Sequence, residues 1–342
     1  MRVAMYYTNR DVRLEEMPVP QIGPGEVLMR VEASGICGSD LLEWYRLHKA
    51  PLVLGHEVAG VIAAVGKGVK HHKVGERICA AHHVPCNACH YCLNGHPTVC
   101  DTLRRTAFDP GGFAEYVRLP RINVEQGIFP LPDQVSFEEA TFVEPLACVL
   151  RGQRLARLQP GQTVLVIGCG VAGLLHIQLA RTSGAGYIVA TDIVAYRLEA
   201  ARRSGADIAV HAKDYTLASL RQAADGRLAD LVVICSGASS AIDHALESVE
   251  RGGTVLFFAP TEPGVGVPIS VNDLFWRNEI TLTSSYGGSP ADYAAALELI
   301  QAGKIRVSEM ITHRLGLAET GLGFQLVAQA QDSLKVVIQP QT

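Results

Sequence analysis

The chain has 342 residues, 48% hydrophobic and 19% charged, more than a single core needs, so two domains are the first expectation. A formal net charge of -4, with both signs spread along the chain, excludes a basic stripe for nucleic acid and an acidic tail, and points to a small-molecule partner. The start, Met1-Arg2-Val3-Ala4-Met5-Tyr6-Tyr7, leads into polar Asn9-Arg10-Asp11 without the apolar stretch of a signal peptide, so a cytoplasmic location is the expectation. The most apolar window, 163–180, holds three glycines, a histidine and a glutamine, so no membrane span is expected.

In chain order, residues 26–31, 58–65 and 77–80 are short β-type runs broken by glycine and proline, the spacing of a compact, mostly antiparallel barrel or sandwich. From about Gly161 the pattern changes. A strand at Thr163–Ile167, a helix at Val171–Thr182, a strand at 187–191 and a helix at 196–204 follow one another, and 231–235 and 254–258 read as further buried strands around a helix. Such alternation with continuous apolar strands predicts a doubly wound parallel sheet. Residues 280–285 read as its last strand, 290–302 as a helix, and 333–338 as a strand that returns to the first domain.

Gly168-Cys169-Gly170-Val171-Ala172-Gly173 fits the dinucleotide pattern between a strand and a helix: one glycine turns the chain, the next admits a pyrophosphate, and the third lets helix and strand approach. Asp192 ends the following strand, where a carboxylate bonds a ribose 2′-hydroxyl and repels a 2′-phosphate, so NAD is the expected cofactor. Arg197 either reaches the phosphate region or is a solvated helix residue.

Nine cysteines in a chain without an export signal argue for free thiols. Cys86, Cys89, Cys92 and Cys100 crowd one loop, as in a closed four-thiolate structural zinc site; a disulfide, a redox pair and an iron-sulfur cluster are the competing readings. Cys37 lies in Gly35-Ile36-Cys37-Gly38-Ser39-Asp40, His56 and Glu57 in Gly55-His56-Glu57, and Glu144 before Pro145-Leu146-Ala147. A thiolate, an imidazole and one or two carboxylates from distant segments match a catalytic zinc that keeps a position for an alcohol oxygen.

In that order, and over nearly the whole chain, these motifs resemble the medium-chain zinc-dependent alcohol dehydrogenase superfamily, most of all its polyol branch of sorbitol or L-iditol 2-dehydrogenases, with threonine dehydrogenases close behind. The resemblance implies an α/β chain: a GroES-like, mostly-β catalytic domain (1–148 and 288–342), an inserted Rossmann NAD-binding domain (149–287), an active site in the cleft between them, and a homo-oligomer, tetramer or dimer. It implies that Cys37 and His56 are standard ligands of the catalytic zinc, and that Glu57 and Glu144 occupy positions that take turns on the metal. Three anionic ligands would over-neutralise the ion, so one glutamate is expected on the metal and the other on its water. Ser39 matches the relay hydroxyl and Asp40 the carboxylate that orients the imidazole, although Asp40 also reads as a helix cap.

The relay histidine of many relatives is Leu42 here; nearby His48 is either its substitute or a surface residue. Trp44, Tyr45 and Arg46 either line the pocket, with Arg46 recognising a polar or anionic substrate, or pack beneath the loop. Ser284-Ser285-Tyr286-Gly287 keeps the tyrosine of the polyol-binding arginine-tyrosine pair and lacks the arginine. The implied activity is NAD-dependent oxidation of a secondary alcohol, in a small polyol or related hydroxy compound, to a ketone. Oxidation of an amino alcohol such as L-threonine, and a catalytically silent nucleotide-binding protein, are the alternatives.

Overall fold

Alternation of buried and open positions builds the strands of the N-terminal third. In the computed structural model, which describes residues 1–267 and 269–342, β1 (Arg2–Thr8) and β2 (Asp11–Glu16) form a hairpin, followed by β3 (Val27–Gly35), β4 (Leu52–Val53), β5 (Glu57–Val65), β6 (Arg77–Ala80), β7 (Tyr116–Leu119) and β8 (Ile128–Pro130). Along β3, Val27, Met29 and Val31 point inward while Arg30 stays exposed, the period of two expected of a half-buried strand. With Val58, Ile62, Ile78, Val117 and Leu119 they make one core, each large side chain contributing about 1.5–3 kcal/mol by leaving water.

Residues Cys148–Tyr286 form a separate compact unit. Its strands are β9 (Thr163–Ile167), β10 (Tyr187–Asp192), β11 (Ile208–His211), β12 (Ala229–Ile234), β13 (Val249–Phe257) and β14 (Thr281–Ser284). They lie in the order β11-β10-β9-β12-β13-β14, and every neighbouring pair is parallel. All five residues of β9 are buried, which is why the run reads as uninterrupted Thr-Val-Leu-Val-Ile. The strand order reverses between β9 and β12, so the loop after β9 opens at a topological switch point, where such sheets bind ligands.

Beyond this unit the chain rejoins Met1–Ala147, and Gly287–Thr342 belongs with those residues. Here β15 (Ile311–Gly316) and β16 (Lys335–Gln339) complete a sheet ordered β15-β16-β3-β5-β6-β8, with β7 also paired to β3. The pairing is antiparallel except between β15 and β16. A second core of Tyr6, Ile36, Leu54, Phe113, Phe324, Val336 and Ile338 packs where β16 meets the end of β3, beneath Cys37. Among the described residues, no helix is long and apolar enough to cross a membrane.

Candidate metal centres and nucleotide site

The end of β3 and the start of β5 are neighbours, Gly35 pairing with Glu57, so two motifs distant in sequence converge. The donor atoms of Cys37, His56 and Glu57 all lie within 4.8 Å of one another. One thiolate, one imidazole and one carboxylate is a borderline-soft set that suits zinc, with room for a further ligand. Glu144, in the first turn of the helix Val143–Leu155, is outside that set of three.

Asp40, buried in the 3-10 turn Gly38–Leu41, ties the two segments together. One oxygen accepts the Cys37 amide at 3.1 Å, and the other lies 3.3 Å from His56 Nδ1. Asp40 therefore both caps its turn and holds the imidazole, leaving His56 Nε2 for a metal. Burial would raise the Asp40 pKa, but His56, Arg46 and the Cys37 amide outweigh it and hold the carboxyl below its usual range. Burial would likewise lower His56, yet Asp40 and Cys37 keep the imidazole well above its ordinary value. A cation bound to this imidazole displaces that proton.

Ser39 Oγ stands 3.4 Å from Cys37 Sγ. Arg46 donates to the Ser39 carbonyl at 3.1 Å and to Ser39 Oγ at 3.4 Å, and sits 3.5 Å from Asp40. Its guanidinium and the Lys49 ammonium both lie over the Tyr45 ring, so this segment carries positive charge beside the centre, while Trp44 and His48 are exposed. Leu42 is partly buried.

Two residues near the centre escaped sequence reasoning. His82, just past β6, has its ring 6.0 Å from that of His56 and edge-on to Phe108, and burial pushes its pKa well below the usual value. The tandem His82-His83 was its only signal. Lys335 Nζ, on β16, donates to Glu57 Oε2 across Gly35, with both side chains almost fully buried. Its signal was a charge within the apolar run Lys335–Gln339.

The four thiols of Cys86, Cys89, Cys92 and Cys100 also lie within 4.8 Å of one another, and all are free. The Cys86–Cys100 and Cys89–Cys92 sulfur pairs are each 3.6 Å apart. A disulfide is about 2.05 Å long, whereas zinc-sulfur bonds of about 2.3 Å in a tetrahedron put sulfurs about 3.8 Å apart. Burial would raise Cys100, but the amides of Cys86, Leu103 and Thr102 bring it down to about 6; Cys92 is pushed up to about 12 by burial and by Cys89 and Cys100. All four could be thiolates in so small a space only with a compensating cation, which a closed zinc site would supply.

In the parallel-sheet unit, Gly168 has φ +96° and Gly170 caps the helix Val171–Thr182, with Val171 and Ala172 in its first turn. A Cβ on Gly173 would collide with the Gly168 carbonyl, so this position tolerates only glycine. Asp192 accepts the Cys169 amide at 2.7 Å and the Val194 amide at 2.9 Å, fixing its carboxylate beside the glycine turn. Arg197 lies over Gly170 with its Nε buried and unpartnered. Tyr286 is 48% exposed.

An all-parallel sheet with a glycine turn at its switch point, joined in one chain to a β unit bearing a Cys-His-Glu centre and a four-thiol loop, defines a metal- and dinucleotide-dependent oxidoreductase. Residues 23–133 match the alcohol dehydrogenase GroES-like domain and residues 171–302 the zinc-binding dehydrogenase domain. Sorbitol dehydrogenase of Bacillus subtilis is 31% identical over 99% of this chain and 97% of its own. L-threonine 3-dehydrogenase of Bacillus licheniformis is 33% identical over 95% and 94%. The structure of galactitol-1-phosphate dehydrogenase from Escherichia coli superposes with a TM-score of 0.88 at 27% identity, covering 99% of this chain and 100% of that one. The chain belongs to the zinc-dependent medium-chain alcohol dehydrogenase superfamily, in its polyol branch, and is an oxidoreductase that uses zinc and a nicotinamide dinucleotide.

Proposed function

We propose that this enzyme oxidises a secondary alcohol in a small polyol or related hydroxy compound to a ketone, reversibly, with NAD as the hydride acceptor. The observation that carries the reading is the Cys37-His56-Glu57 set braced by Asp40. Cys37 and His56 are the constant zinc ligands, with Glu57 and Glu144 as alternates. The four-thiol loop is the structural zinc site. The catalytic domain is assigned to 1–148 and 288–342 and the NAD-binding domain to 149–287, each boundary one residue from that of the compact units.

A zinc ion held by Cys37, His56 and one glutamate would supply Lewis-acid chemistry that acidifies a substrate hydroxyl, and a nicotinamide would supply the hydride acceptor. The remaining work falls to the chain. Asp40 fixes the His56 tautomer, so that Nε2 carries the lone pair. Ser39 Oγ would take the hydroxyl proton while passing its own to solvent, and the Arg46 guanidinium, bonded to the Ser39 carbonyl and Oγ, holds that hydroxyl in place. Leu42 offers no onward acceptor, so the proton leaving Ser39 would pass to water or to a hydroxyl of bound cofactor. Gly168, Gly170, Val171, Ala172 and Gly173 seat the pyrophosphate, Asp192 the ribose, and Arg197 the adenosine phosphate.

Support for a homo-oligomer, a dimer or tetramer, comes from β14, which ends its sheet, and from Trp276 and Val271, which are 68% and 66% exposed nearby in sequence. A cytoplasmic location accords with the free cysteines.

The test is a screen of neutral polyols, phosphorylated polyols, sugar acids, amino alcohols and simple secondary alcohols with NAD, followed by NADH absorbance on zinc-replete protein. Turnover confined to amino alcohols, or to none of the panel, would refute the reading.

A further inference from the structure

No other lysine among the described residues is buried, and Lys335 spends its charge on one partner, Glu57, at the edge of the metal set. The two residues sit on β16 and β5, which are not neighbours; β3 runs between them, and the pair meets only because position 35 has no side chain. A Cβ on Gly35 would overlap both Glu57 Oε2 and the end of Lys335. The Lys335 ammonium also lies 5.3 Å from the centre of the Phe142 ring, two residues before Glu144. It is thus packed between Glu57 and the segment that bears the second candidate glutamate.

A carboxylate within this reach of a divalent cation turns onto it unless something else holds it. Cys37, Glu57 and Glu144 together exceed the charge of zinc by one, and a buried ammonium supplies that one. We propose that Lys335 is a positioning residue of the metal centre: it holds the Glu57 carboxylate across Gly35, and so leaves the metal open to Glu144 and to substrate. The assignment rests on the zinc reading above.

The experiment uses the full-length enzyme with cobalt at the Cys37 site and zinc in the four-thiol loop. It compares the visible spectrum and the chelator-driven release of metal in wild type, K335M, K335R and E57Q/K335M. In K335M the cobalt bands weaken and shift as Glu57 joins the metal, and release slows because one more protein ligand must detach. K335R restores the wild-type spectrum. E57Q/K335M has no carboxylate to release onto the metal, so the spectral change and slowed release that K335M adds are absent from it; it folds even where K335M, with an uncompensated buried carboxylate, does not. An unchanged spectrum and release rate in K335M overturns the assignment. So does failure of both K335M and E57Q/K335M to fold, which would make Lys335 a support of the sheet independent of Glu57. A wild-type protein that takes up no metal at Cys37 overturns the zinc reading and this assignment together.

Discussion

Replacing Asp40 with asparagine tests how far the metal centre depends on a residue that does not touch the metal. The carboxylate has two obligations, the Cys37 amide at 3.1 Å and His56 Nδ1 at 3.3 Å, and at 0% exposure no solvent can stand in for it. Asparagine is nearly isosteric but carries one acceptor and one donor end. If its oxygen keeps the Cys37 amide, its NH2 faces His56 Nδ1, and the imidazole proton must move to Nε2, the atom the metal needs. If the amide turns round, His56 is served and the Cys37 amide is left facing a donor. Either outcome removes one of two supports, which for a ligand-orienting carboxylate costs about 10–100-fold in metal affinity, or about 1.4–2.7 kcal/mol. Competition with a chromophoric chelator at fixed pH measures the affinity, and metal analysis after dialysis shows zinc lost at Cys37 but kept by the four-thiol loop. D40A should add a lower melting temperature, because it also deletes a charge-assisted hydrogen bond worth about 1.5–3 kcal/mol. A D40N protein with unchanged zinc affinity would refute the argument that Asp40 sets the imidazole.

In the nucleotide unit, D192G/I193R should move the kcat/KM ratio toward NADP by about 10–100-fold, since it trades a repelled 2′-phosphate for a charge-assisted bond; unaltered NAD preference removes Asp192 from the ribose site. C100S should cost the loop its zinc and lower the melting temperature while cobalt still binds at Cys37; retention of both metals by C100S would count against the four-thiol assignment. His48 is exposed, so H48A should leave the pH-rate profile in place, and a shifted profile would make this histidine the proton exit that Leu42 lacks.

The sequence announced most clearly what is local. Thr163–Ile167 and Val171–Thr182 were legible because burial on both faces and a glycine turn leave little choice of structure, and the four-cysteine loop because its ligands share one short segment. The helix Val143–Leu155, which carries Glu144, has no clear start signal in the sequence and holds Pro145; in a first turn the missing N–H costs nothing. The parallel strand β15 also escaped, since Ile-Thr-His-Arg-Leu-Gly has neither clear alternation nor a continuous apolar run. Asp40 admitted two readings, cap and imidazole partner, and the geometry assigns it to both positions at once. The Lys335–Glu57 pair could not be seen because it is made across a third strand, and no local pattern reports a contact of that kind.

Strand β16 also bears on how the molecule is made. It is the last strand of the chain, yet it lies inside its sheet, between β15 and β3, and its Lys335 reaches a partner 278 residues earlier. Cys37, His56 and Glu57 are therefore synthesised long before the strand that braces them leaves the ribosome, whereas residues 148–286 can fold as a unit in the meantime. The sheet that carries Cys37 and Glu57 thus closes only once residues 335–339 have been made, and the Lys335 brace is a late contact of folding.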